Sequence, residues 1–538
     1  MALLYESIYG DIITFAIVFL GAVYWWLSSK YTYWSDRGVP GPKPSVIFWN
    51  AKDIVLRKKI RAEVYQEVYN ELGGNAFGGV YFFSQPAVLL KDPELIKACM
   101  VKDFTHFQDR ETSVSGGRSM GFMGYTLLAL RGSSWKNLRS KLTPTFSSGQ
   151  LKAMISTMAA RAGELTACMP TLVDADGCAD VKEVSARFTT DVVGSCVFGL
   201  QSDAISNPDS AFRKMGVQLF SPSASLFLSS VLLQHLPRFL QKLLVFFKRK
   251  GNSEYFLRLI ADTVKEREEK GIVRNDFLQL LLDIRNKEKS EKAAVSDGFK
   301  QSSETSNGTN HGEGGNENES DNIEFDDRVM AAQCIVFFVA GFETTSTTMS
   351  YCLYELASNQ GIQEKLKQEI DTVLGRHNGL LTYDALKDMK YLDQVIDETL
   401  RKHPPAGSVS RRCNKPYVIP GTKVLIEEGM IVHVPIYALH HDPKYYPQPE
   451  KFDPERFSEE NKSKRHHFTY LPFGDGPRMC IGMRFALLQA KVGLAALVSK
   501  FRFTPCPKTP SPLCFDVNSP VASVKGPLRL QITKRMAK

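Results

Sequence analysis

Apolar residues gather in a few long stretches of this chain, and each predicts a different element. From Ile12 to Ser29 the run IITFAIVFLGAVYWWLSS carries no charge. A helix of that length spans roughly 27 Å, close to the hydrocarbon core of a thin bilayer. Glu6 and Asp11 precede the run, and Lys30, Arg37 and Lys43 follow it. That asymmetry puts the N-terminus outside and the rest of the chain in the cytoplasm. Tyr24, Trp25, Trp26, Tyr31, Tyr33 and Trp34 can form an aromatic belt at the inner boundary. A cleaved signal peptide wants a basic start and a small-residue cleavage site, and neither is evident. Val39-Pro40-Gly41-Pro42-Lys43-Pro44 then makes a stiff spacer.

Two other apolar stretches have a different character. Ser225–Phe247 is strongly apolar but contains Pro237, Arg238 and Lys242 and ends in Lys248-Arg249-Lys250. Those residues oppose a span and predict a helix lying in the membrane interface, with a buried core helix as the alternative. Val329–Leu356 is long enough for a buried helix. It carries Ala340-Gly341-Phe342-Glu343-Thr344-Thr345, an awkward insertion, because Gly weakens a helix and a carboxylate is costly to bury. A kink with Thr hydroxyls bonded to the previous turn would explain it structurally. Between Asn286 and Asn322 apolar residues almost vanish in favour of Lys, Glu, Ser, Gly and Asn, which predicts a disordered insertion.

Composition agrees with one large mixed domain, mainly α with a smaller β part, over 45–538. It follows an anchor at 1–30 and a linker with the proline hinge at 31–44. The 43% hydrophobic content is ample for a core. The ten cysteines are scattered without Cys-x-x-Cys spacing, so neither zinc nor a disulfide framework is indicated. The net charge of +9 comes with no nucleic-acid-binding module, and no nucleic-acid partner is expected. Two sequons, at Asn307 and Asn318, would face the cytosol and stay unmodified.

The chemistry is densest around Cys480, in Phe473-Gly474-Asp475-Gly476-Pro477-Arg478-Met479-Cys480-Ile481-Gly482. The glycines let the backbone turn tightly and approach something large and flat. Arg478 offers a fork suited to a carboxylate. The apolar periodicity of Phe485, Leu488, Val492 and Leu497 predicts a helix starting just after the cysteine, where backbone N–H groups favour a thiolate. A thiolate beside a carboxylate-binding Arg suits the axial ligand of a haem iron. Elsewhere, Glu398-Thr399-Leu400-Arg401 puts Glu and Arg on one helix face, and Trp135-Lys136-Asn137-Leu138-Arg139 does the same for Trp and Arg.

The Cys480 run resembles the haem-thiolate loop of the cytochrome P450 family, Phe-x-x-Gly-x-Arg-x-Cys-x-Gly, at every fixed position. The resemblance runs from about Pro40 to the C-terminal region. It implies haem b (iron protoporphyrin IX) with Cys480 as the metal ligand. Trp135, Arg139, Ala340, Gly341, Arg411, Phe473, Gly476, Arg478 and Gly482 would complete the cofactor site, with Arg412 the rival of Arg411. It implies that Glu398, Arg401 and Arg456 of Pro454-Glu455-Arg456-Phe457 form a structural network. Gly341 would open a groove for dioxygen, and Glu343 and Thr344 would relay protons. Lys136, Lys141, Arg484 and Lys491 resemble the basic surface that docks an electron donor. Substrate-facing residues would fall in Ser113–Leu128, Phe337–Ala340, Pro405–Val409 and Ser519–Ser523. Trp49 departs from the family, standing where animal sequences carry Gly.

HHDPKYYPQPEKFDPERF and FFVAGFETT look most like the insect microsomal branch. That implies a monooxygenase of the endoplasmic reticulum membrane that detoxifies apolar plant compounds or insecticides. Its partners would be O2, membrane lipid, NADPH-cytochrome P450 reductase and, as a second donor, cytochrome b5. An endogenous hormone or fatty-acid hydroxylase, a haem-thiolate isomerase or dehydratase that does not use O2, and a non-catalytic haem sensor are the alternatives. Dependence on NADPH separates the isomerase, and turnover separates the sensor.

Overall fold

The computed structural model describes residues 8–28, 31–45, 48–82, 85–111, 123–220, 253–303 and 324–536. The proposed interfacial helix Ser225–Phe247, both sequons and 113–122 lie outside them. The architecture is mainly α with a smaller β part. The chain forms two compact units. The smaller unit gathers 1–111, 406–445 and 466–471, so its boundary is hidden along the chain.

In the smaller unit, strands Phe77–Phe82 and Gln85–Leu90 form an antiparallel hairpin. Gln85–Leu90 pairs in parallel with Ile431–Val434, which pairs antiparallel with Val409–Arg412. Val80, Val88, Leu89, Val432 and Val434 are buried in one apolar core with Tyr65, Tyr69 and Phe107. Trp49 takes φ 51° in a turn closed by Trp49 N–H donating to the Ser45 carbonyl at 2.9 Å. A bulky residue rarely adopts that backbone. The N-terminal helix Ile8–Ser28 has 21 residues, about 31 Å at helical rise. Its most apolar portion is the shorter stretch Gly10–Ala22, and Ile12, Phe15, Ile17 and Leu20 are exposed.

The larger unit is organised by the 32-residue helix Asp327–Ser358. Asp326 caps it by accepting from Val329 N–H at 2.8 Å. This helix is long and apolar enough to cross a membrane by composition, but most of its apolar length is buried inside the unit. Helices Val181–Val193 and Met483–Lys500 pack against it. A three-stranded antiparallel sheet with strand order Cys178–Asp180, Arg529–Lys534, Phe501–Pro505 adds the β part of this unit.

The stretch expected to be disordered from Asn286 begins inside a helix, Phe277–Ser303. Few of its residues are apolar, but Lys and Glu favour helix and can pair at i, i+4 spacing along it. Lys287 faces Glu291 at 3.9 Å, and Lys292 meets Glu324 at 2.7 Å. The remainder, 304–322, lies outside the described residues.

Candidate active site

The Cys480 loop belongs to the larger unit and is closed by Cys480 N–H donating to the Phe473 carbonyl at 3.0 Å. Gly474 and Gly476 take φ 67° and 70°, the left-handed region where glycine is favoured. Asp475 caps the next turn by accepting from Gly476 N–H at 2.6 Å. Gly482 differs: its φ of −87° suits any residue. A Cβ there would meet nothing within 4 Å. Helix Met483–Lys500 starts three residues after the cysteine.

Burial separates Cys480 from seven of the other nine thiols. It is half-buried, whereas Cys99, Cys178, Cys196, Cys334, Cys352, Cys413 and Cys506 are buried, leaving Cys168 and Cys514 as the other accessible ones. Burial pushes Cys99, Cys196 and Cys352 up to about 12 and Cys413 to about 11, which keeps them as inert thiols.

Helix Gly132–Leu142 brings two of the expected residues beside the loop. The buried Arg478 guanidinium stacks 3.9 Å from the centre of the Trp135 ring and donates from Nη2 to the Leu130 carbonyl at 2.9 Å. Burial lowers the pKa of Arg139, and the charge of Cys480 acts in the opposite sense, so the two groups are electrostatic neighbours. Arg411 belongs to the smaller unit, on strand Val409–Arg412. It is 1% exposed. Its Nη1 donates to the Ser410 carbonyl at 3.0 Å, and its Nε has no hydrogen-bond partner among the described residues. Burial lowers its pKa, and among the described residues no carboxylate pairs with it. A buried guanidinium in that state fits an anion from outside the chain. Arg412 points to the other face of the strand and acts on the Glu111 carboxylate.

Within the long helix, hydrogen bonding continues through Gly341 without a break. A Cβ on Gly341 would lie 3.2 Å from Val193 Cγ2, so this glycine serves close packing of two helices. Thr344 Oγ1 donates to the Ala340 carbonyl at 2.6 Å, the back-bond that a mid-helix threonine makes. Ala340 is exposed, and Glu343 and Thr344 are half-buried. Burial raises the Glu343 carboxyl above the ordinary carboxylate range, Lys182 and Arg213 pull it back, and Asp516 adds to the rise. Of the expected substrate-facing residues, Phe337 packs on Phe146 and Phe277, and Phe338 is buried among Phe198, Phe212 and Phe256. Phe338 is therefore committed to core packing, while Phe337 is half-buried.

Glu398, Arg401 and Arg456 come together. The first two are wholly buried and joined by two hydrogen bonds, Nε to Oε2 at 2.8 Å and Nη2 to Oε1 at 2.9 Å. Asp453 N–H donates to Glu398 Oε1 at 2.9 Å, and Arg456 Nε lies 3.4 Å from the same oxygen. Arg456 Nη2 also holds the Pro447 and Gln448 carbonyls at 2.7 and 2.9 Å.

The sequence profile of the cytochrome P450 family matches residues 39–533. The chain belongs to the cytochrome P450 family. It is 38% identical to cytochrome P450 6a2 of Drosophila melanogaster over 512 residues, which is 94% of this chain and 96% of that protein. It is 35% identical to cytochrome P450 6k1 of Blattella germanica over 535 residues, 98% of each chain. A cytochrome P450 is a monooxygenase that uses haem b, O2, an organic substrate and electrons from a redox partner. Within the larger unit, the half-buried Cys480 with the cations Arg478 and Arg139 near it fits such a group.

Some expected residues are placed otherwise. Lys491 is buried and paired with Asp393 at 2.8 Å, so it is unavailable to a docking surface. Lys141 is paired with Glu288 at 2.5 Å, while Lys136 and Arg484 are exposed. Other contributors were not anticipated. Gln333, fully buried, accepts from Leu127 N–H at 2.9 Å and donates to the Tyr125 carbonyl at 2.8 Å. It thereby fixes the segment whose Leu130 carbonyl holds Arg478. A lone Gln in an apolar run was the available signal.

Proposed function

We propose that this cytochrome P450 is a membrane-anchored detoxifying monooxygenase with Cys480 as the haem ligand. The observation that carries the reading is the half-buried Cys480 in a glycine-shaped loop, with Arg478 and Arg139 beside it. Arg478, Trp135 and Arg139 would hold the haem carboxylates, and Phe473, Gly476, Gly482 and Ala340 would give its faces room. When bound, haem supplies the activation of O2, with thiolate ligation favouring cleavage of the O–O bond. The chain supplies access, orientation and protons. Burial raises the Glu343 carboxyl above the ordinary carboxylate range, which suits a proton carrier, and the Thr344 hydroxyl next to it in sequence would accept and pass the proton. NADPH-cytochrome P450 reductase, with cytochrome b5 as a second donor, would deliver electrons. Similarity to fly and cockroach enzymes supports apolar plant compounds or insecticides as substrates. Screening the purified protein for substrate-induced haem spectral shifts, followed by NADPH-driven turnover of the hits, tests this. A panel in which only endogenous hormones or fatty acids bind and turn over would contradict detoxification.

Thr344→Ala removes one hydroxyl whose present bond is to its own helix, so haem content and substrate binding should persist. Its product per NADPH should fall severalfold and peroxide should rise, since general acid–base groups contribute about 10²–10⁴-fold. Unchanged product per NADPH would exclude the relay.

The helix Ile8–Ser28 and its exposed apolar side chains support an anchor in the endoplasmic reticulum membrane, with the catalytic units in the cytoplasm. Deleting residues 2–28 should make the protein extractable by alkaline carbonate, while the full chain stays with the membrane. Release of the full chain by carbonate would contradict a spanning helix.

A further inference from the structure

We propose that Gln333 is a positioning residue that sets the stance of Arg478 toward a haem carboxylate, by gripping the turn that lies between them. The inference rests on Arg478 being a holder of that carboxylate. All the groups involved belong to the larger unit. Gln333 is fully buried on the long helix. Oε1 accepts from Leu127 N–H at 2.9 Å. Nε2 donates to the Tyr125 carbonyl at 2.8 Å and to the Val329 carbonyl, one turn back on its own helix, at 3.0 Å. These partners are backbone groups of fixed sense, so the amide has one orientation that suits them. The Val329 bond holds the side chain to its helix, and the other two bonds reach the turn. The turn is closed on itself. Thr126 Oγ1 donates to the Met123 carbonyl at 2.8 Å, and Ala129 and Leu130 N–H both donate to the Thr126 carbonyl at 3.0 Å. Arg478, 2% exposed, meets the same turn: Nη2 donates to the Leu130 carbonyl at 2.9 Å, and Nη1 lies 3.5 Å from the Leu127 carbonyl. Leu127 is therefore held by its N–H to Gln333 and faces Arg478 with its carbonyl.

The guanidinium is a rigid planar fork. Two carbonyls and the Trp135 ring, whose centre is 3.9 Å from the guanidinium carbon, define its plane. A turn bonded to itself moves as a unit, so a shift at Leu127 reaches the Leu130 carbonyl and turns the fork. Arg328 also reaches this turn, but from the exposed side and at 3.5 Å from the Tyr125 hydroxyl. The short bonds from the long helix come from Gln333. Packing alone would be served by an apolar residue, and a buried amide is costly unless its polar atoms are satisfied. Here that satisfaction is what fixes the turn. The long helix and the Cys480 loop are thereby linked through four named groups: Gln333, the Leu127 peptide, the Leu130 carbonyl and Arg478.

The test uses the holoenzyme and Gln333→Met, which is close in shape but lacks the amide. Haem loss to excess apomyoglobin should be roughly tenfold faster, the scale of losing one hydrogen bond to a charged group. The midpoint potential of the haem iron should fall, because a cation held less firmly near the haem stabilises the reduced state less. The double-mutant cycle with Arg478→Lys decides between placement and general loosening. In the Arg478→Lys background, Gln333→Met should speed haem loss by less than about twofold, since its effect runs through the fork. Gln333→Glu keeps the size and the acceptor for Leu127 N–H, and it is read in the same way should Gln333→Met fail to accumulate. Equal acceleration in both backgrounds overturns the inference, as do wild-type haem loss and potential in the Gln333 variant. Unchanged haem loss and potential in Arg478→Lys alone overturn instead the reading of Arg478 as a holder of the haem carboxylate.

Discussion

Cys480→Ala should abolish the thiolate-type carbon monoxide spectrum of the reduced protein, while Cys168→Ala and Cys514→Ala leave it intact. Those three cysteines are the accessible ones. Cys480 alone sits in a loop whose glycines take left-handed conformations and whose neighbours include Arg478 and Arg139. Burial raises the pKa values of Cys196 and Cys352 and so disfavours the thiolate, which is the ligating form. Monooxygenase activity should vanish with the spectrum, since the remaining residues position the haem but supply no equivalent ligand. A Cys480→Ala protein that keeps the thiolate spectrum would remove the assignment.

Arg401→Ala should cost about 3–5 kcal/mol, the usual result of stranding one member of a buried ion pair. Its partner Glu398 is wholly buried, and both of its oxygens are engaged by Arg401, with Asp453 N–H and Arg456 adding to one of them. Against a total stability of about 5–15 kcal/mol, that loss would leave little folded protein at working temperature. Arg401→Lys should fall between, keeping the charge and losing the two-pronged fork. The measurement is the thermal midpoint for loss of the thiolate–carbon monoxide spectrum in each variant. An Arg401→Ala protein melting with the wild type would show that the network carries no stability.

What could be read from the sequence was local. The Cys480 loop, the Glu398–Arg401 pair and the Trp135–Arg139 face all depend on residues within a few positions of one another, where periodicity and backbone freedom decide geometry. Family resemblance added Arg456. Burial was not legible in the same way. Lys491 looks like any surface lysine until Asp393 is folded against it. Phe338 lies in a run expected to face substrate, yet it is enclosed by rings from three other segments. The helix continuing past Asn286 was obscured for the opposite reason. Composition without apolar residues argues against a core, but it does not forbid a solvated helix stabilised by Lys–Glu pairs. The two-unit organisation was hidden because the smaller unit is assembled from three separated segments.

The most direct test of the whole account is to follow oxygen. The full-length protein, reconstituted in membranes with an NADPH-dependent flavoprotein reductase, is given NADPH, isotopically heavy O2 and an apolar substrate identified by spectral shift. The product, read by mass spectrometry, should carry one heavy oxygen atom per molecule and should require both NADPH and O2. Product formed without NADPH, or product whose added oxygen is unlabelled, would contradict a monooxygenase built on Cys480, Glu343 and Thr344.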